Sequence, residues 1–495
     1  MAKHLLEIAN QLQNKEIYGD VNILIEDVSA DSRDIKVNGL FIALRGARVD
    51  GHNYLENAVK AGARALVVDT LPKKLPDNVA VILVPDTREA MEIIAPYFYD
   101  YPGKKLRMVG VTGTNGKTTT TNIVRQVLEK AGHKVGMIGT INIVIGDRVL
   151  VSHNTTPDVV DLQKALAEMV ACGCDYCVME VSSHALALKR VSGIEYDCAV
   201  LTNITQDHLD FHKTMENYRD AKSLLFENLH TGAKPNKMAV FNMDDASSEI
   251  IKNRTKTNVL TYGMQTTYDI HPENVKIHAK GMDFVLHTPK GKMNLTTKIT
   301  GAFNVYNIMS AVGVLLAEGV DLSLLEKEIN AFVGVPGRFQ LVEKGQDFTV
   351  VVDYAHTPDG LENVLHTARE ITKNNLWVIF GCGGDRDNTK RPIMGRIARE
   401  LADKIVVTSD NPRTEDPDKI LDQICVAFEG MQDKEFHRIA DRREAIEFVL
   451  QNAVHGDVVM IAGKGHEDYQ ILKDKTIHFS DKEVVEEYLE NVKSR

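Results

Sequence analysis

The sequence predicts an α/β protein of roughly three domains. Three observations carry that expectation. An apolar run, a glycine-rich turn and a helical pattern follow one another without a break over residues 106–131. Apolar runs of strand length then alternate with helical patterns through the middle and last third of the chain, which argues for mostly parallel sheets covered by helices. Pro/Gly-rich breaks at 101–105 and 333–337 divide the 495 residues into segments 1–100, 101–335 and 336–495.

In the first segment, 21–25 and 80–84 are strand-like and 54–61 is helical. Polar groups bracket the apolar run 39–46, and Asp31-Ser32-Arg33 reads equally as a capped turn or a ligand contact.

The central segment opens with the strongest motif, Gly113-Thr114-Asn115-Gly116-Lys117-Thr118-Thr119. Apolar positions Ile123, Val124, Val127, Leu128 and Ala131 recur at helical spacing after it, until Gly132. A strand, a glycine-rich loop and a helix N-terminus form an anion site, because successive N–H groups and the helix dipole converge there. Lys117 can reach the β/γ-phosphates and the Thr118 hydroxyl can ligate Mg²⁺. The general P-loop pattern is matched imperfectly, with Val111 where a glycine is usual and the leading glycine at Gly110. The stretch reads as a nucleoside triphosphate site.

Further strands are expected near Met108, Met137, Val178, Val200 and Ala239, and 154–158 should cap the helix carrying Leu162 and Leu166. Ligands gather at the carboxyl ends of such strands. Glu180, Asp207 and His208 stand there, and Lys222 lies near an apolar helical stripe with Tyr218, Leu225 and Phe226. Singly these read as a surface carboxylate, a helix cap and a snorkelling lysine; beside a P-loop they offer a hydroxyl, a carboxylate and an imidazole for Mg²⁺. Asn304 and Asn307 open a helix, and either could bond adenine or cap that helix.

In the last segment, strands at 348–352, 376–380, 404–408 and 457–461 alternate with helices as in a Rossmann-like domain. Their ends carry Asp353 and His356, the run 381–387 with Arg386, then Asp410-Asn411-Pro412-Arg413, and Gly463 to Glu467. All could border one crevice.

The formal net charge of −11 argues against nucleic acid or anionic membranes as partners. No apolar run has bilayer length and no signal-peptide core opens the chain, so a cytoplasmic location is expected. The six cysteines are too few and too clustered for a disulfide framework. Cys172, Cys174 and Cys177 lack a second Cys/His pair, so Cys177 reads as a strand residue.

Six motifs together are specific: residues 113–120, Glu180-Val181-Ser182-Ser183-His184, Asp207-His208-Leu209-Asp210-Phe211-His212, Ala221-Lys222-Ser223-Leu224-Leu225-Phe226, Asp353-Tyr354-Ala355-His356 and Gly463-Lys464-Gly465-His466-Glu467. Through all three segments, and in the same order, they resemble the ATP-dependent Mur ligases, which build the peptide of bacterial cell-wall precursor. The resemblance implies a three-domain architecture: an N-terminal UDP-sugar domain, a central P-loop ATPase-like sheet and a C-terminal Rossmann-like amino-acid domain. It implies ATP and Mg²⁺, with a carbamate on Lys222, and an acyl-phosphate route in which Lys117, Glu180, His208, Lys222 and Arg338 are catalytic. It places Thr118, Glu180, His208 and Lys222 at metal, and residues 113–119 with Asn304 and Asn307 at nucleotide.

By the same resemblance Ser32, Thr155, Thr156, Ser182 and Arg190 hold a UDP-N-acetylmuramoyl dipeptide. Arg386, Asp410, Asn411, Pro412, Arg413, Gly463 and Glu467 would hold the added amino acid. The run 410–413 resembles the signature of the branch that adds meso-diaminopimelate, with Arg413 on the distal carboxylate and Glu467 on the distal ammonium. The protein is expected to act on small molecules as a monomer. A sister ligase using lysine or a folyl substrate would share the ATP site and differ at Arg413. A P-loop switch would leave Arg386, Arg413 and Glu467 unexplained, and the run 381–384 lacks the spacing of a dinucleotide fingerprint.

Overall fold

The computed structural model describes residues 2–46, 49–74, 77–152 and 154–493. Three sheets organise the chain. Near the N-terminus, Asp27–Ser29, Gly39–Ile42, Ala63–Val68 and Ala80–Leu83 run parallel, and Glu16–Tyr18 closes the edge antiparallel to Ala80–Leu83.

The central sheet has eight strands. Its parallel part runs, in spatial order, Val135–Ile138, Tyr176–Glu180, Arg107–Thr112, Cys198–Leu201, Met238–Asn242 and Asn258–Tyr262. The hairpin Asn142–Ile145 with Arg148–Val151 extends one edge in antiparallel register. Strands covered on both faces read as continuous apolar runs, which is why this part was visible as 106–111 and its neighbours. Helix Lys117–Lys130 packs on helix Ala302–Ala317, where Thr120 Oγ1 and Ser310 Oγ lie 2.8 Å apart. Ala302–Ala317 is buried along nearly all its length. Val159–Ala171 and Met215–Glu227 contribute to the core on the opposite face.

The antiparallel meander His271–His278, Gly281–Thr288, Gly291–Thr297 was not anticipated. It turns Met282, Phe284, Leu286, Met293 and Leu295 inward while other positions meet water, so no continuous apolar run announces it. The stretch 21–25 forms a strand only over Leu24–Ile25, in a short sheet with Lys3–His4.

The last sheet places Thr349–Asp353, Val458–Ala462, Leu376–Phe380, Lys404–Val407 and Glu435–Arg438 in parallel, with Gln340–Leu341 antiparallel at one edge. The two edge strands escaped the sequence reading because they are short and partly exposed. Cys177 is buried inside Tyr176–Glu180. Among the described residues, no helix is long and apolar enough to cross a membrane.

Candidate active site

The loop 113–116 sits at the carboxyl end of Arg107–Thr112 and is laced to the end of the neighbouring strand. Asn203 O accepts from Thr114 N (2.8 Å), Asn203 Oδ1 from Asn115 N (2.9 Å), and Thr202 Oγ1 donates to Asn115 O (2.6 Å). Two glycines make this lacing possible. Gly113 (φ 143°) and Gly116 (φ 88°) occupy conformations that side chains resist, and a Cβ would lie 1.9 Å from Thr202 Oγ1 at the first and 2.3 Å from Asn307 Oδ1 at the second. Gly110 is no part of the loop. It lies within the strand against the Tyr196 ring, which explains the imperfect match to the general P-loop pattern.

Helix Lys117–Lys130 has no side-chain cap, so its first-turn N–H groups are open to a ligand. Gly116, Lys117, Thr118 and Thr119 line a cavity of about 810 Å³ there. Lys117 Nζ turns back onto Gly113 O (2.9 Å) and Thr114 O (2.8 Å), and burial lowers its pKa. Asn307 lines the cavity. The Asn304 amide donates to Thr300 O (2.8 Å) and its oxygen accepts from Asn307 Nδ2 (2.9 Å), so it stands behind Asn307 at the cavity wall.

Glu180 is 1% exposed, so it is no surface carboxylate. Thr140 N and Thr140 Oγ1 each donate to one of its oxygens, at 2.9 and 3.0 Å, and Thr140 Oγ1 also lies 3.0 Å from Thr155 Oγ1. Thr140 stands just past the end of strand Val135–Ile138, where a lone threonine carries no chemical signature in the sequence. His208 precedes a short helix at φ 54° but makes no side-chain cap. Its side chain is 45% exposed and lines the cavity, and desolvation by the surrounding walls pushes its pKa down to about 4 despite Asp207 beside it. The ring is therefore neutral near pH 7 and keeps a lone pair for a ligand or metal.

Lys222 does not snorkel to water. It is 1% exposed on helix Met215–Glu227, lies 4.6 Å from the Tyr218 ring centroid, and donates to Gly113 O at 2.8 Å from behind the loop. Burial first, then the charge of Lys117, lowers its pKa well below that of an ordinary lysine, with Asp207 opposing.

Across the cleft, the C-terminal segment contributes Arg338 to the same cavity. Its Nη2 donates to Thr118 Oγ1 (3.3 Å), its guanidinium lies 4.8 Å from the Tyr354 ring centroid, and its Nε is buried without a hydrogen-bond partner. Asp353 fixes this turn by accepting from Phe339 N (2.6 Å) and Ala355 N (2.7 Å). Asp359 adds a second crossing, accepting from Asn115 Nδ2 (2.5 Å) and Thr205 Oγ1 (3.0 Å). His356 lies at the rim, with Nδ1 2.8 Å from Tyr354 O.

A second cavity, of about 870 Å³, adjoins the first, and Asp207 and His208 line both. Thr155, Thr156, Ser182 and Arg190 form one wall. Thr156 Oγ1 donates to Glu180 O and accepts from Ser182 N, Arg190 Nη1 donates to Thr156 O (3.3 Å), and Arg190 Nε is buried without a partner. Arg386, Asp410, Asn411, Arg413, Gly463 and Glu467 form the facing wall.

Arg413 adopts φ 52° and donates through Nη1 to Gly384 O (3.0 Å). Glu415, two residues on, is held by the buried Arg391 in two bonds of 2.9 Å. Burial raises the pKa of Asp410, but Arg442 and Lys464 outweigh it and leave the carboxyl below its ordinary value.

Ser32 sits in a turn closed by Arg33 on Asp31 (2.6 Å), apart from the walls of these two cavities. Pro412 shapes the loop without lining a cavity. Gly113 and Lys222 lie behind the nucleotide cavity wall.

A P-loop sheet and a Rossmann-like sheet that share one cleft, with an arginine of the second reaching the first, define a nucleotide-dependent enzyme with a composite site. Family models match most of the chain: Mur ligase family, catalytic domain at residues 24–99, Mur ligase middle domain at 111–315 and Mur ligase, glutamate ligase domain at 337–465. The chain is 47% identical over 465 residues to a UDP-N-acetylmuramoyl-L-alanyl-D-glutamate–2,6-diaminopimelate ligase of Bacillus cereus, covering 94% of each. It is 49% identical over 457 residues to the protein of that name from Geobacillus thermodenitrificans, covering 92% of each.

A solved structure of an enzyme with that name aligns over the whole of both chains with TM-score 0.68 and 34% identity. The Thermotoga maritima MurF ligase, solved in complex with ADP, shares the fold at TM-score 0.67 and 18% identity, over 95% of this chain and 98% of its own. The chain belongs to the Mur ligase family, and it is an ATP-dependent ligase.

Proposed function

We propose that this ligase joins meso-diaminopimelate to the D-glutamate of UDP-N-acetylmuramoyl-L-alanyl-D-glutamate, in the cytoplasmic synthesis of peptidoglycan precursor. The observation that carries the proposal is the pair of cavities meeting at Asp207 and His208. One has a P-loop and an unpartnered arginine nitrogen; the other faces Arg386, Arg413 and Glu467.

In the first step the γ-carboxylate of D-glutamate attacks the γ-phosphorus of ATP, ADP leaves, and an acyl phosphate forms. Two anions must meet, so positive charge at the γ-phosphate is the main requirement. The free N–H groups of the first turn, Lys117 and Arg338 supply it, once Lys117 exchanges its carbonyl partners for phosphate. Arg338 comes from the C-terminal segment, so the site is complete only when the cleft is closed. Closure also keeps water from the acyl phosphate. In the second step the amine attacks the acyl carbon, a tetrahedral intermediate collapses, and phosphate leaves. Thr155, Thr156, Ser182 and Arg190 hold the acyl substrate, while Arg386, Asp410, Asn411, Arg413, Gly463 and Glu467 orient the amine.

The donor set suits Mg²⁺: Thr118 offers a hydroxyl, Glu180 a carboxylate and His208 a neutral imidazole. Bound Mg²⁺ would neutralise phosphate charge. Among the described residues no three His, Cys, Asp or Glu side chains converge as a ready-made metal site. A carbamate on Lys222 would add the missing carboxylate. Its formation joins the neutral amine to CO₂ with loss of a proton, and the lowered pKa of Lys222 favours the neutral amine.

Phosphate release from ATP tests the reading. It should require both the dipeptide substrate and diaminopimelate for full turnover, and turnover with neither would make the protein a nucleotide switch instead.

A further inference from the structure

Beneath the facing wall of the larger cavity lies a cation that touches no solvent. Lys464 is 0% exposed at the end of strand Val458–Ala462. Its Nζ donates to Glu467 Oε2 at 2.9 Å and to Asn411 Oδ1 at 3.3 Å, and stands 5.4 Å from the Tyr469 ring centroid. Asn411 Nδ2 donates to the same Glu467 Oε2 at 2.9 Å, which closes a triangle of three side chains. Ile471 N donates to Asn411 Oδ1 at 2.9 Å, so the orientation of that amide is fixed from outside the triangle. Two of the three residues, Asn411 and Glu467, line the cavity, whereas Lys464 stays behind them.

A carboxylate in such a wall attracts any ammonium brought near it and repels any carboxylate. With a buried ammonium bonded to it, the same carboxylate still accepts a directed hydrogen bond but carries much less net field. We propose that Lys464 is a positioning residue that sets amino-acid specificity. Its ammonium orients Glu467 and Asn411 and offsets the charge of Glu467, so the cavity favours a distal end bearing both ammonium and carboxylate over one bearing ammonium alone. The proposal rests on the reading of the second cavity as the amino-acid site. Removing the cation leaves Glu467 with only the more distant Arg442 to offset its charge, which strengthens its hold on the distal ammonium of lysine and opposes the distal carboxylate of diaminopimelate.

The test is steady-state ligation by the full chain at saturating ATP and dipeptide substrate, with each amino acid in turn. The parent, Lys464→Met and Lys464→Gln are compared. Glutamine keeps N–H donors toward Glu467 without the charge. In both variants the ratio of kcat/KM for meso-diaminopimelate to that for lysine should fall by about 10-fold or more, while KM for ATP stays near the parent value.

Equal losses on both amino acids, leaving the ratio unchanged, would show a scaffold role and overturn the proposal. A ratio kept by glutamine and lost by methionine would credit the hydrogen bonds alone and overturn the charge argument. Loss of folded protein in both variants, read by thermal melting, would also overturn it, because Lys464 would then serve the fold. A parent without preference for diaminopimelate would sink the substrate assignment itself, and that result is read before any variant is made.

Discussion

The two cavities adjoin along Thr155, Asp207, His208, Tyr354, His356, Thr357 and Asp359, but their remaining walls are held in different ways. Around the nucleotide cavity, the loop 113–116 is held by main-chain atoms and by Thr202 and Asn203 of an adjacent strand end. The facing wall of the larger cavity is held by side chains that never reach the ligand space: Arg391 ties Glu415, Arg442 ties Asp481, and Lys464 ties Glu467 and Asn411. Main-chain shape is insensitive to most substitutions, whereas a wall of buried ion pairs depends on each partner. Chemistry on ATP should therefore fail through the side chains that carry charge to phosphate and through the few, Lys222 among them, that brace the loop from behind. Choice of amino acid should be open to tuning from behind the wall.

Lys117→Ala gives the largest expected effect. It should abolish ligation, a loss of at least about 1,000-fold, because charge at the γ-phosphate is removed. The helix behind it should keep its melting behaviour, since the core side of Lys117–Lys130 is unchanged. Near-normal ligation by this variant would remove the P-loop from the mechanism.

Lys222→Ala comes next. The proposed carbamate predicts severe loss of activity and partial recovery when a small carboxylic acid is added. Direct observation decides it: NMR with isotopically labelled bicarbonate should show a carbamate signal in the parent that Lys222→Ala lacks. An unmodified lysine in active enzyme would end the proposal.

Arg413→Ala addresses the other cavity. Truncating a desolvated charge partner costs about 2–5 kcal/mol, so kcat/KM for meso-diaminopimelate should fall by roughly 30-fold to several thousand-fold. KM for ATP should change little, because Arg413 lines only the larger cavity. Parallel loss of ATP affinity would mean that the two cavities are not separable as argued here.

The same contrast explains what could be read in advance. The nucleotide loop was legible because seven consecutive residues specify it. Its partners Thr202, Asn203 and Asp359, and Thr140 beside Glu180, were not, since their roles depend on strand order and on a neighbouring segment. The polar ends of the last segment's strands were legible as such, whereas Thr155, Thr156 and Arg190 were named only through the family resemblance, because their place in the larger cavity depends on how the central strands are ordered. Lys222 resisted a reading from residue type alone: a lysine near an apolar stripe usually snorkels, and only its burial against Gly113 O shows otherwise. The meander 271–297 was hidden by the alternation of a half-buried sheet.

The smallest expected effect concerns His466, which joins the two halves of the comparison. Its ring lies 5.0 Å from that of Tyr354, which also meets the guanidinium of Arg338 and the His356 ring. Desolvation first, then the charge of Arg338, pushes its pKa from 6.5 to about 4. The sign of the consequence is fixed. Between pH 6.5 and 4 the unfolded chain binds a proton at this position that the folded chain refuses, so stability falls as pH falls through that window. The contribution is complete above the unfolded value and lost below the folded one. Two and a half pH units set a ceiling of about 3 kcal/mol, and partial solvent access brings the expected value to about 1–2 kcal/mol. His466→Gln should therefore flatten the decline of melting temperature between pH 6.5 and 4 relative to the parent. The other depressed histidines, His184, His208, His212 and His356, are present in both proteins, so the difference isolates His466. Superimposable pH profiles for parent and variant would show that the ring is free to charge, and that Arg338 exerts no field on it when the cleft is closed.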